Sequence, residues 1–145
     1  MPHITLIYPF RPVTEFDKLG EQFESICEDF EPFELELANF NLFQHSHQNC
    51  TVWLATEPDE QVIKLQTRLW EVVPDCNEVR NFTKGFTPHL SVGQARWRDI
   101  AKRFISDFQA GWASVKFTVS DICLIWRNDP PDDVFRVDRN IQLGK

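Results

Sequence analysis

His3 and Thr5 alternate along an apolar stretch, and so do His89 and Ser91. Residues i and i+2 of an extended strand share a face. Each pair therefore presents an imidazole and a hydroxyl on one side, while Ile4 and Leu6, or Leu90 and Val92, take the other. Two imidazoles flanking one substrate suit acid–base work near neutral pH, the neutral ring accepting a proton and the imidazolium donating one. The two hydroxyls can hydrogen-bond a non-bridging oxygen. A lone histidine at a strand start is more often a solvated or hydrogen-bonded residue. Pairing is what turns the reading toward chemistry.

The elements that must position these groups follow from periodicity. Residues 3–8 alternate as a strand, and Pro9, Arg11 and Pro12 end it before a helix opening at Thr14 with Asp17 at capping-box spacing. That helix runs to about Phe30 with Phe16, Leu19, Phe23, Ile26 and Cys27 on one face. Strand 33–43 shifts phase at Ala38-Asn39, as a bulge or bend would make it do. Strand 50–56 returns, helix 59–73 follows, and a polar stretch leads to strand 89–94 and helix 97–109. Strands 115–126 and 134–143 complete the chain.

The two halves repeat one plan. Pro2-His3-Ile4-Thr5 matches Pro88-His89-Leu90-Ser91 at an offset of 86, and Phe33 to Phe43 matches Val115 to Ile125 at an offset of 82. Even the phase shift recurs, with Ala38-Asn39 opposite Ser120-Asp121. Duplication predicts a pseudo-twofold that brings the two histidine strands together. The expected architecture is α+β, with two pseudo-symmetric lobes, each a helix-backed antiparallel sheet, and a central groove. Residues 1–145 are expected to form one bilobal domain, its halves at about 2–56 and 88–143 and helix 59–73 linking them.

Composition narrows the function. Hydrophobic residues make up 42% of the 145 and aromatic ones 13%, enough for a core and too much for a disordered chain. The net charge of −7 has the wrong sign for coating a polyanion, so any nucleic-acid substrate must be held locally. No export signal and no run of about 18 apolar residues is present, which leads us to expect a soluble, cytoplasmic protein with no membrane partner. Cys27, Cys50, Cys76 and Cys123 are then free thiols by default. His45, His47 and Cys50 are too sparse for a zinc site, and a polar hairpin loop is the plainer reading.

His-x-Thr and His-x-Ser, each preceded by Pro and opening a strand in one copy of a duplicated half, resemble the two-histidine phosphoesterases, the 2′-5′ RNA ligase-like family. The resemblance covers nearly the whole chain. It implies metal-free, cofactor-free cleavage or formation of phosphodiesters with a 2′ oxygen, most often the opening of a 2′,3′-cyclic phosphate. His3 and His89 would be acid and base, in either order, with Thr5 and Ser91 holding the phosphate. In the family a strand and helix usually precede the first motif, whereas His3 stands two residues from the start, so the first lobe is expected to lack them.

Around the four central residues, Arg11, Lys84 and Arg96 flank the motifs and could balance phosphate charge. Tyr8, Phe10 and Phe86 adjoin the same strand ends and could stack a base, Phe86 foremost. The expected partner is a nucleotide or RNA end bearing a cyclic phosphate, bound by a monomer without extended nucleic-acid contacts. The substrate could equally be RNA, a free cyclic nucleotide, a cyclic ADP-ribose phosphate or a 2′-5′ oligonucleotide. Two other readings compete: a catalytically idle nucleotide-binding module of the same fold, and a metallohydrolase, disfavoured because no carboxylate sits at ligand spacing beside either motif.

Overall fold

The computed structural model describes residues 1–81 and 85–144. Helix α1 (Phe16–Glu28) buries Phe16, Leu19, Phe23 and Cys27, the stripe its spacing dictates. It opens two residues later than the sequence suggests. Pro12 starts a 3-10 turn over Val13–Glu15, closed by the Glu15 N–H on the Pro12 carbonyl at 2.9 Å. Thr14 is thus inside the turn and forms no capping box. Asp17 instead pairs with Arg139 near the end of the chain.

The predicted bends prove to be breaks between strands. β1 (Phe33–Leu37) and β2 (Phe40–Gln44) are separated at Ala38-Asn39, and β5 (Val115–Val119) and β6 (Asp121–Trp126) at Ser120. Each break sends the chain into a different sheet. β1 pairs with β5, β2 pairs with β3 (Asn49–Ala55), and β6 pairs with β7 (Arg136–Gln142), all antiparallel. β3 also pairs with β4 (His89–Arg96), making a three-stranded sheet β2-β3-β4. Helix α2 (Glu60–Trp70) follows β3, and α3 (Arg98–Gly111) follows β4.

The register carries the repeat. Phe33 faces Val119 and Leu37 faces Val115, so shifting either pair by 82 residues and exchanging strands returns the other, with Leu35–Phe117 at the centre. The bridge between Ile4 and Leu90 is likewise its own image at the offset of 86. One twofold relation thus accounts for these two pairings, while the β3–β4 ladder is a third junction between the halves that has no image of its own.

Two apolar clusters lie behind these sheets. One joins α1, α2, β6 and β7 through Phe16, Phe23, Leu65, Leu69, Leu124 and Ile141. The smaller sets Ala101 of α3 against Cys50, Val52 and Ala95. Among the described residues no helix is long and apolar enough to cross a membrane.

Segment 3–8 departs from expectation. Only Ile4 makes a strand bridge. Pro2 and Pro9 bracket the segment without amide donors, and Leu6 and Ile7 both turn onto the larger core, which strict alternation forbids. The segment is fastened farther on by other means. The Glu78 N–H donates to the Tyr8 carbonyl at 3.0 Å, and the Arg11 guanidinium donates twice to the Asp75 carboxylate at 2.7 and 2.6 Å.

That fork holds the Asp75 carboxyl below its ordinary range, the Arg11 hydrogen bond being the largest cause. A depressed folded-state pKa contributes stability above the unfolded value, lost as pH falls through the folded one. Wild type is therefore expected to melt above Asp75→Asn near neutral pH, with the gap closing as acidification carries the pH below the ordinary carboxylate range. A gap that ignores pH in thermal melts would count against the ion pair.

Candidate active site

The Ile4–Leu90 bridge sets the geometry of the site. Across an antiparallel pair with Ile4 opposite Leu90, His3 falls opposite Ser91 and Thr5 opposite His89. All four side chains then share the face that Ile4 and Leu90 leave. Directly opposed Cβ atoms in such a pair lie roughly 4.5–5.5 Å apart, so each imidazole adjoins the other half's hydroxyl. His3, Thr5 and His89 are half-buried and Ser91 is exposed.

Both rings are held in the same way. His3 Nδ1 lies 2.9 Å from the Met1 carbonyl, and His89 Nδ1 lies 2.8 Å from the Thr87 carbonyl, each two residues upstream. A carbonyl oxygen only accepts, so each Nδ1 carries the proton and each Nε2 is the nitrogen left for exchange. Pro2 and Pro88 stand between ring and carbonyl, and their fixed φ keeps the tripeptide extended enough to fold the ring back on it.

Aromatic rings complete the support. His89 meets the edges of Phe43 and Trp53 at centroid distances of 4.9 and 5.6 Å, and those two stack on each other at 4.5 Å. His3 meets Phe135 edge-on at 5.0 Å. These three aromatics, not the expected ones, touch the imidazoles. Alternation along β3 could have given Trp53 its face, but only the register with β4 sets it opposite Ser91. Phe135 has no signal in the sequence, because the turn before β7 sets its place.

The other residues singled out from sequence fare variously. Phe10 is a correction: its ring packs on Phe16 and Phe23 at 5.3 and 6.2 Å, so it serves the core rather than a base. Arg11 is a second, because both arms of its fork are taken by Asp75. Arg96 lies at the far end of β4 opposite Asn49. Tyr8 is exposed and Phe86 half-buried, neither with a ring partner among the described residues. Lys84 lies outside the described residues.

A cation that the sequence did not suggest shares an aromatic neighbour with His3. The Arg127 guanidinium lies 4.8 Å over the ring of Phe135, the same ring that abuts His3. Among the described residues Arg127 makes no ion pair, whereas Arg136 is committed to Asp132 and to the face of Trp126. His45, His47 and Cys50 do not converge: His45 Nε2 bonds Thr51 Oγ1 at 2.8 Å, His47 packs on Trp97, and Cys50 is buried. No group of three or more His, Cys, Asp or Glu side chains among the described residues could hold a metal ion. All four cysteines are free, and burial pushes the Cys27 thiol up to about 11.

An α+β fold that sets two His-x-Thr/Ser strands side by side about a twofold relation is the scaffold of a two-histidine phosphoesterase. Comparison with known proteins places the chain accordingly: the model of the 2′-5′ RNA ligase superfamily matches residues 1–131, and the chain belongs to that superfamily. It is 29% identical over 94 residues to a protein of Oceanobacillus iheyensis named "Putative phosphoesterase OB1230". That match takes in 64% of this chain and 52% of the relative, so the chain spans about half the length of the curated protein it resembles. A crystal structure of TT0787 of Thermus thermophilus superposes with a TM-score of 0.66 over 99% of this chain and 79% of that one. At 16% identity the second likeness speaks for the fold alone.

The shared hydrogen-bond arrangement has a direct spectroscopic consequence. Long-range nitrogen–proton correlation spectra at alkaline pH are expected to show the His3 and His89 rings both as the Nδ1–H tautomer. An Nε2–H ring at either position would remove the equivalence of the two imidazoles.

Proposed function

We propose that this protein is a metal-independent phosphodiesterase that opens 2′,3′-cyclic phosphates on nucleotides or RNA ends by acid–base catalysis between His3 and His89. One observation carries this reading: both imidazoles donate Nδ1–H to a carbonyl, leaving both Nε2 atoms for proton transfer on the face that also bears Thr5 and Ser91. The neutral ring takes a proton from water as the water oxygen bonds to phosphorus. The imidazolium gives its Nε2 proton to the ribose oxygen as the phosphorus–oxygen bond breaks, leaving a phosphomonoester and a free hydroxyl. The next turnover begins with the two protonation states exchanged back through solvent. A ribose hydroxyl in place of water would form a 2′-5′ linkage by the same proton movements.

Thr5 and Ser91 hydroxyls donate to the non-bridging oxygens, whose charge grows in the transition state. Arg127 supplies the positive charge near His3 that an overall charge of −7 otherwise denies. Superfamily membership and the phosphoesterase naming of a relative support the general reaction class.

Incubating wild type with cyclic-phosphate mononucleotides and oligonucleotides in chelator is expected to yield phosphomonoesters. His3→Ala and His89→Ala should each lose about 10²- to 10⁴-fold in kcat, and the wild-type pH–rate profile should be bell-shaped. Arg127→Gln should raise KM more than it lowers kcat. Turnover that survives both histidine substitutions, or that stops in chelator, would sink the mechanism. Nucleotide binding without any product would assign the chain to a binding module of this fold instead.

A further inference from the structure

The two halves treat one helix stripe differently. An offset of 81 sets Phe16, Leu19, Gly20, Phe23 and Cys27 of α1 on Trp97, Ile100, Ala101, Phe104 and Phe108 of α3 and its first flanking residue. The small residues show that the match is spatial. Gly20 lies against the Arg139 side chain of β7, and Ala101 packs with Val52 of β3. Arg139 and Val52 are the cross-strand partners of Leu124 and Leu42, themselves 82 positions apart. The large residues nevertheless meet opposite fates. On α1 they are at most 5% exposed, in one core with Leu65 and Leu69 of α2. On α3 they are between 40 and 48% exposed, because α3 packs on β2, β3 and β4 and no helix takes the place of α2 over its stripe. Contiguous apolar surface of this kind marks a docking face.

The stripe is complementary to itself. Trp97, Ile100, Phe104, Phe108 and Gly111 are spaced three, four, four and three, a series symmetric about Phe104. A second α3 laid antiparallel, Phe104 on Phe104, sets Ile100 against Phe108 of the second copy and Trp97 against its Gly111, the largest side chain opposite the smallest. Room for the indole exists. A groove of about 470 Å³ runs beside Phe108, Gly111 and Trp112, and a Cβ on Gly111 would meet no heavy atom within 4 Å. Val92, the extra residue of β4 at its register shift against β3, stands exposed in the same groove.

Charge agrees with this alignment. Arg103 and Asp107 edge the stripe on the side away from Ala101 and Ile105, four residues apart. Neither makes an ion pair among the described residues. Antiparallel alignment brings the same edge of both helices side by side. At a rise of about 1.5 Å per residue, Arg103 then falls about 3 Å along the axis from Asp107 of the second copy, and the pair forms twice.

We propose that two copies of this chain associate through α3 against α3, in place of the monomer expected from the sequence. The histidines stay open in such a dimer. α3 covers the face of β3 that bears Cys50 and Val52, whereas Trp53 and Ala55, the partners of Ser91 and His89, point the other way.

Sedimentation equilibrium tests the proposal. Wild type is expected at twice the 17.1 kDa of the chain in concentrated solution and at the single mass on dilution. Phe104→Arg sets two guanidiniums at the centre of the contact and should raise the dissociation constant by about tenfold or more. Gly111→Leu occupies the seat of the second copy's indole, in space that is open in the single chain. It should weaken association to a similar extent while the melting temperature in dilute solution stays at or above that of wild type. Arg103→Asp should weaken association several-fold, and adding Asp107→Arg to it should restore the wild-type constant, which unspecific adhesion of apolar surface would not do. A single mass at every concentration would overturn the proposal and leave the stripe to a helix of another protein. A dimer that Phe104→Arg and Gly111→Leu leave intact, or a charge exchange that restores nothing, would overturn it as well, since the contact would then lie elsewhere or in another register.

Discussion

The hydrogen bond from each imidazole Nδ1 to the carbonyl two residues upstream is the constraint on which the site depends. It fixes which nitrogen is free, and it fixes the ring against its own strand. The strand then needs to be held only at its Cα positions, which the Ile4–Leu90 bridge does for both halves at once. The aromatic edges of Phe43, Trp53 and Phe135 remove the remaining rotation. Ring nitrogen, strand register and ring angle are thus set by three different interactions, each of a kind that tolerates no slip of a single residue.

The same duplication builds unlike surroundings for the two rings. His89 opens a strand with a full ladder to β3, and its neighbours are a buried indole and a phenyl ring. His3 stands on a segment with one bridge, next to a phenyl ring that carries a guanidinium. A symmetric pair of proton carriers therefore lies in an asymmetric field, with a guanidinium on the His3 side and aromatic rings around His89. An asymmetric substrate has one favourable orientation in such a field.

What the sequence made legible was whatever is encoded locally or by repetition. His3, Thr5, His89 and Ser91 could be found because period-2 alternation assigns faces and because the motif occurs twice. The break at Ala38-Asn39 was visible as a phase change, though not that β1 and β2 would join different sheets, since pairing partners are chosen by distant residues. Phe10, beside a strand end, could have stacked a base, but the larger core reaches out to it through Phe16 and Phe23. Arg11 could not be discounted without knowing that Asp75, 64 residues on, would meet its fork. Arg127 and Phe135 were hidden for the converse reason: a turn places them, and turns carry no periodicity.

The pairings that join the halves have one more consequence, for the order in which the molecule is made. Ile4 meets Leu90 and Leu35 meets Phe117, contacts between residues 86 and 82 positions apart. Closing loops of that length costs chain entropy that neither half recovers by itself, so such contacts are slow to form and belong late in folding. The hairpins β2-β3 and β6-β7 close over short loops and can precede them. The paired imidazoles accordingly arise when the two halves dock, which makes emergence of the site a report on completion of the whole fold rather than of either half.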